Sequence, residues 1–249
     1  GLPISAKGIR ELRRTEDGHY ELSSKATSMF ASITETSEFK ISGDRVQDGE
    51  VTTYEDLATD KWEGRICVRS GMNAYNLAMT SAVIAHHGEE GARAWLSDLK
   101  DNLARKPQGN DRAQVKAIWA GECDVAIGYT YYMGKMLEDE EQQEWANSVN
   151  VVFPKFENGG THVNISGVAM AKYAPNPENA LKLMEFLTSP EAQEIYAKIN
   201  YEYPIAPDAS PDELVASWGS FEADPVNLMT LAANRSTALR LTEEVDFDG

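Results

Sequence analysis

Apolar and polar positions follow two alternating periods from about Val51 onward. RICVR, Arg65 to Arg69, reads as a strand, and Asn73 follows as the N-cap of a helix, AYNLAMTSAVIAHH, which Gly88 can close from the C′ position. Trp95, Leu96 and Leu99 recur at helical spacing in a second helix, and Asn102 to Lys106 is a candidate next strand. Beyond the loop PQGN, a helix starting at Asp111 places Val115, Ile118 and Trp119 on one buried face and stops at Gly121. DVAIG is the third strand. Strand, helix, strand, helix, strand predicts an α/β lobe, a parallel sheet with helices on its faces.

Further along, NVVFP, Asn150 to Pro154, reads as a fourth strand, and Gly159 to Ala174 as a longer extended stretch. Two helices follow, opened by Asn176 with Pro177 and by Ser189 with Pro190, each a cap residue before Pro at the first helical position. In the second, Ala192, Ile195, Tyr196 and Ile199 form an i, i+3, i+4, i+7 stripe that reads as core. The acidic run LEDEEQQEW, Leu137 to Trp145, reads as a solvated helix face. With no internal repeat and no low-complexity linker, a crossing between lobes is expected to be made by strands.

Composition narrows the function. A chain of 249 residues with 42% hydrophobic residues can bury one large core or two ordinary lobes. No apolar run approaches the roughly 18 residues of a membrane span, so a soluble protein is expected. A net charge of −17 argues against nucleic acid as partner, because a phosphate backbone needs a positive face. The first residues, GLPISAKGIRELRR, contain no apolar stretch of signal-peptide length, so any targeting segment lies outside this sequence. Cys67 and Cys123 fit either two buried thiols or one disulfide.

The usual catalytic signatures are missing: no nucleophile elbow, P-loop, dinucleotide fingerprint or His-Glu-x-x-His occurs. Of the four histidines, His19, His86, His87 and His162, the adjacent pair in HHGEE points about 100° apart on a helix and does not share a metal. A His beside a C-terminal Gly instead complements the helix dipole. The two cysteines lack zinc-site spacing. What stands out is AIGYTYYMGKM, where a strand ends in Tyr129, Tyr131 and Tyr132, with Tyr75 in the first turn after the neighbouring strand. Ligands of open α/β sheets bind beyond the carboxyl ends of the strands, so Tyr75, Tyr131 and Tyr132 can face one crevice if the chain turns at the two consecutive tyrosines, as the following MGKM allows. A single Tyr is most often a core-edge residue; three converging phenols suit a hard, strongly polarising cation such as Fe(III), because a phenol with a pKa of about 10 ionises at neutral pH only against such a charge.

The chain closely resembles the periplasmic ferric-iron-binding proteins of bacterial ABC importers, in the transferrin-like class of solute-binding proteins. The resemblance is carried by TTYEDLATDKWEGRICVRSGMNAYN, ARKPQGNDRAQVKAIWAGECDVAIGYTYYMGKM, GGTHVNISG, APNPENALKLMEFLTSPEAQEIYA, NYEYPIAP and ASWGSFEAD, in order from about Thr52 to Asp224. It implies a two-lobed type II periplasmic-binding-protein fold of α/β class, with parallel-core sheets, helices on both faces and a hinge of crossing strands. One lobe is expected from residues 1–37 and 162–212, the other from 38–161 and 213–249. The resemblance implies Tyr75, Tyr131 and Tyr132 as ligands of Fe(III); Tyr129, where the family often has Asn, is left out. It implies a periplasmic monomer that closes about its hinge on ferric iron and delivers it to an inner-membrane ABC permease, without catalysis. Family members carry roughly 60 residues before the point where this sequence starts, including a further His or Tyr ligand, so the first lobe is expected to be incomplete. Where the family commonly has an Arg for a synergistic anion, this chain has Thr27, with Lys25 nearby, which leaves an anion open. The alternatives are a relative whose tyrosines cage an organic ligand, or a hydrolase or transferase using a cleft Tyr or His, for which no nucleophile and base pair can be assigned. Cys67 in RICVR and Cys123 just before DVAIG lie on expected neighbouring strands, so a disulfide suited to an oxidising periplasm is expected, with two buried thiols as the alternative.

Overall fold

The computed structural model describes residues 12–14, 20–22, 30–171 and 173–249. Its first elements are β1 (Leu12–Arg14), β2 (Tyr20–Leu22), β3 (Phe30–Ser42), β4 (Ile66–Cys67), α1 (Ala74–Asp101), α2 (Asp111–Trp119) and β5 (Val125–Tyr129). They are followed by α3 (Thr130–Glu138), α4 (Gln143–Ala146), β6 (Val149–Val152) and β7 (Val163–Val168). The chain then continues through α5 (Pro177–Leu187), α6 (Pro190–Asn200), β8 (Tyr203–Pro204), α7 (Glu213–Ser217) and α8 (Leu228–Glu244). Two compact units result, Gly1–Glu35 with Ile165–Ser217 and Thr36–Asn164 with Trp218–Gly249. Among the described residues no helix is long and apolar enough to cross a membrane.

In the larger unit the strand order is β4-β5-β3-β6. Only β4 and β5 run parallel, with Ile66 opposite Val125 and Cys67 opposite Ala126; β3 runs antiparallel to both β5 and β6. The α/β class with helices on both faces therefore holds, but the sheet is mixed. The expected strand at Asn102 to Lys106 shrinks to one parallel bridge between Leu103 and Ile66. Past Ala104 the register slips, and Gln108 N–H rather than Lys106 N–H donates to the Val68 carbonyl, at 3.2 Å.

Period-two alternation sorts the side chains. Phe39, Ile41, Ile66, Val125 and Ile127 point to one face and form a core with Tyr54, Trp62, Leu77, Trp95 and Leu241. Each such side chain, fully buried, contributes roughly 1.5–3 kcal/mol. Cys67 and Ala126 point to the other face, under Val115, Ile118 and Met136, and share it with Glu38 and Lys40, both buried. Helix α1 is broken at Gly88, whose φ of 71° suits the C′ role expected of it. Helix α2 buries Val115 and Ile118, whereas Trp119, expected in the same face, is 41% exposed. It is the last residue of the helix, and its one aromatic contact is the ring of Trp145 in α4 at 6.4 Å. The acidic run is not one helix. It breaks at Asp139, whose carboxylate accepts from the Glu141 N–H at 3.0 Å, and resumes as α4.

The smaller unit pairs β8 with β3, Ile33 opposite Pro204 and Thr34 opposite Tyr203. Ser189 caps α6 by accepting from Ala192 N–H at 3.2 Å; Asn176 precedes α5 without a side-chain cap bond. The stripe expected to be core in α6 is only partly so, since Ile195 is 46% and Ile199 59% exposed. The buried face runs instead through Ala192, Gln193 and Ala197. Gln193 turns it, donating to the Leu187 carbonyl and accepting from Ile205 N–H at 2.9 Å.

Cys67 and Cys123 form a disulfide with Cα atoms 5.9 Å apart, tying β4 to the turn that enters β5. A bridge across a sequence separation of 56 restricts the unfolded chain by roughly 4 kcal/mol in the chain-entropy account. Replacing both cysteines with Ala is expected to lower unfolding free energy by up to about that amount in urea titration, and a reducing agent is expected to leave the double variant unchanged.

His162 supplies a pH dependence. It is buried, its N–H donates to the Tyr54 hydroxyl at 3.0 Å, and burial pushes its imidazole down to about 4, with Asp224 and Asn164 opposing and His86 adding to the shift. A folded-state value below the unfolded one means stability is full above about pH 6.5 and is lost as pH falls toward 4. The loss approaches about 3 kcal/mol. His162→Gln should flatten this part of the stability profile relative to the parent chain, measured by urea denaturation between pH 7 and 4.5.

Candidate metal centre

Three sequence segments meet at the carboxyl ends of β4 and β5. The chain leaving β4 passes Arg69 and Ser70 and enters α1 at Asn73, whose side chain accepts from Tyr75 N–H at 3.0 Å and so sets the first turn that carries Tyr75. Asn76, one residue on, donates to the carbonyls of Arg69 and Ser70 at 3.0 and 3.1 Å. The C-terminal tail braces the same loop. Asp248 accepts from the Ser70 hydroxyl and from Gly71 N–H at 2.8 Å, and a Cβ on Gly71 would stand 2.7 Å from the ring of Phe247. Only glycine fits there.

Strand β5 ends at Tyr129 and α3 begins at Thr130, so Tyr131 and Tyr132 lie in the first turn of a helix rather than in an extended segment. That turn brings consecutive phenols to one side, with ring centroids 4.0 Å apart. The Tyr131 hydroxyl feels both Tyr132 and Tyr75, which joins all three sequence-predicted residues in one cluster. Tyr75, Tyr131 and Tyr132 are each partly exposed. Tyr129 is fully buried, and its ring lies 4.5 Å from that of Tyr75, packed behind it. The Tyr131 hydroxyl is pushed far above the ordinary phenol value by burial first and by the neighbouring phenols second, so it is neutral in the metal-free protein.

Charged residues that sequence reasoning did not single out stand beneath the phenols. Arg69 pairs with Asp111, the first residue of α2, lies within electrostatic reach of Tyr132, and sits 5.9 Å from the centroid of the Tyr75 ring. Burial works against the Arg69 charge, but Asp111 and Tyr132 outweigh it and hold its pKa above the ordinary value. Asp111 is itself raised by burial, with Arg69 and Lys40 opposing. Lys40 is paired with Glu38 and pushed well down by burial, with Asp111 opposing. For Glu38 and Lys40 the sequence signal was polarity at alternate positions of the apolar stretch EFKIS.

The histidines go elsewhere. His86 bonds Asp224 at 2.9 Å and stacks on Phe156 at 4.0 Å, while His87 bonds Glu55 at 2.6 Å. Among the described residues no group of three or more His, Cys, Asp or Glu could hold a metal ion. A surface hollow of about 530 Å³, lined in part by Ser42, Arg45, Trp119 and Asn147, lies at the other end of β3, whereas Ser37, opposite Tyr129, marks the phenol end. Lys25 and Thr27, considered for an anion, and His19 lie outside the described residues.

Residues 42–220 match the family model described as bacterial extracellular solute-binding protein. The chain belongs to this family. Within it, the chain is 43% identical over 205 residues to Iron uptake protein A1 of Synechocystis, covering 82% of this chain and 57% of that protein. The chain thus spans less than two thirds of that curated relative. Among solved structures, ferric iron-binding protein A of Mannheimia haemolytica in an open conformation is similar with a TM-score of 0.86 at 42% identity, covering 99% of this chain and 76% of that one. A Trichodesmium IdiA (FutA) protein in complex with iron and citrate ligands is similar with a TM-score of 0.85 at 34% identity, covering 99% and 77%. For a solute-binding protein of this fold, the tyrosine cluster lies at the strand ends where the sheet leaves room for a ligand.

Proposed function

We propose that the chain binds ferric iron through the phenolates of Tyr75, Tyr131 and Tyr132, as the iron-holding part of a periplasmic solute-binding protein that delivers the metal to an ABC permease without catalysis. The two compact units are read as its two lobes. The observation that carries this reading is the convergence of three phenols in one cluster, with no His, Cys or carboxylate ligand set among the described residues to favour a softer or divalent ion. Relatives named for ferric iron or iron uptake support it. Iron is the cargo here. Its high charge offsets the cost of ionising phenols that are neutral without it, and ligands other than these three, a small anion included, complete its coordination.

Adding ferric citrate to the purified chain should produce a visible phenolate-to-iron charge-transfer band, which an organic-ligand binder would not give. Replacing Tyr131 and Tyr132 together with Phe should abolish the band and weaken iron binding by well over about tenfold, or 1.4 kcal/mol. Metal-free stability should change by only about 1 kcal/mol per lost hydroxyl. Tyr129→Phe, which keeps the ring behind Tyr75, should leave colour and affinity nearly intact. A double variant with normal colour and affinity places the metal elsewhere.

A further inference from the structure

We propose that Arg69, clamped by Asp111, is a positioning residue of the phenol cluster, fixing the Tyr132 oxygen and the Tyr75 ring in the arrangement that meets the metal. The inference rests on the ferric reading of the site and deepens it. Arg69 stands at the point where the segment leaving β4 reaches the cluster, with its backbone carbonyl held by Asn76 and its guanidinium 15% exposed. One side of the guanidinium is occupied by Asp111, which is 2% exposed and held at the start of α2, where Asn110 caps the helix by accepting from Ala113 N–H at 3.1 Å. The guanidinium also stands 5.9 Å from the centroid of the Tyr75 ring and close enough to Tyr132 for the two to act on each other electrostatically. A planar guanidinium tied through Nη1 to a buried carboxylate keeps its plane near the Tyr75 ring, and the compact ammonium of Lys does not reproduce that planar face.

Below Asp111 stands Lys40, which acts on it through charge rather than through a hydrogen bond. Lys40 approaches Gly128 of β5, where an added Cβ would lie 3.4 Å from Lys40 Cε and 3.7 Å from Asp111 Oδ1. The missing side chain at Gly128 leaves the room in which the Lys40 ammonium stem and the Asp111 carboxylate stand. Acidic and basic groups therefore alternate from Glu38 to Lys40, Asp111 and Arg69, and the series ends beside the Tyr75 ring. Groups that orient metal ligands from behind typically change metal affinity by about 10- to 100-fold when removed.

The test compares Arg69→Gln, Arg69→Lys and Asp111→Asn with Arg65→Gln in the full chain. Arg65 is the control because it makes a comparable ion pair with Asp124 at 2.7 Å but touches none of the phenols. Near-ultraviolet circular dichroism of the metal-free proteins reads the tyrosine packing, and ferric citrate titration against a competing chelator reads affinity and the charge-transfer band. Arg69→Gln is expected to alter the tyrosine dichroism, shift or weaken the band and lower affinity by about 10- to 100-fold. Asp111→Asn should show the same changes to a smaller degree, and Arg69→Lys should restore them only in part. Arg65→Gln should lower stability without moving dichroism, band or affinity. The inference is overturned if Arg69→Gln and Asp111→Asn keep the parent spectrum and affinity within about twofold, whatever happens to stability, or if Arg65→Gln changes them equally. A parent chain that gives no band overturns the ferric reading itself; the metal-free dichroism then still decides whether Arg69 orders the phenols.

Discussion

Parallel pairing of β4 with β5 is the constraint on which the larger unit depends. The pair is short, with Ile66 opposite Val125 and Cys67 opposite Ala126, yet it decides that the chain segments after both strands emerge at the same edge of the sheet. Arg69, Tyr75 and the Tyr129–Tyr132 turn can meet only because of it. A slip of one residue would exchange the two faces, sending Ile66 to the side of Cys67 and aiming the strand ends differently. The disulfide resists that slip from the other side of the strands, because Cys123 lies just before β5. Arg45 and Arg65 reinforce the same corner through Asp124, and Arg45 also donates to the Cys123 carbonyl at 2.9 Å.

The two faces of the sheet solve different problems. The face toward α1 and α8 is apolar throughout, and its burial supplies the stability of the unit. The face toward α2 and α3 carries Glu38 and Lys40 beneath Asp111, and burying such groups costs several kcal/mol per ion before their mutual attraction is counted. Replacing them with hydrocarbon of similar volume would be neutral or stabilising by the same reasoning. Their retention next to the phenols makes sense as specificity of arrangement, because an alternating charge series tolerates only one packing of its members.

Much of this was legible in the sequence, and the rest was hidden for physical reasons. Helix ends were readable where one residue type alone satisfies the geometry: Asn73 caps through its side chain, and Gly88 accepts a positive φ. The phenols were readable because three tyrosines at the ends of two strands have few other uses. Arg69, Asp111, Lys40 and Glu38 were not, because alternation assigns a residue to a face but does not say whether that face meets water or a helix. The same ambiguity misplaced Trp119 and the Ile195 and Ile199 stripe: helical spacing marks a face, while Gln193 with its two backbone bonds decides which face turns inward. The mixed sheet was hidden because strand direction depends on where β3 enters, and the order of elements does not carry it.

Selectivity at the phenol cluster follows from what the site lacks as much as from what it contains. A carboxylate cluster is charged before any ion arrives and attracts calcium or magnesium on charge alone. Here burial holds the Tyr131 phenol neutral, and a guanidinium stands 5.9 Å from the Tyr75 ring. A weakly polarising cation gains little from neutral phenol oxygens and is repelled by Arg69. An ion that binds must first drive protons off its ligands, and the cost of doing so rises with every unit that burial adds to a phenol pKa. That cost is nearly the same for any metal, whereas the return grows steeply with the ion's charge. On the ferric reading proposed above, the arrangement would separate trivalent from divalent ions by the energy of deprotonation rather than by cavity size, and the fixed cation would sharpen the separation by penalising every ion that leaves the phenols protonated.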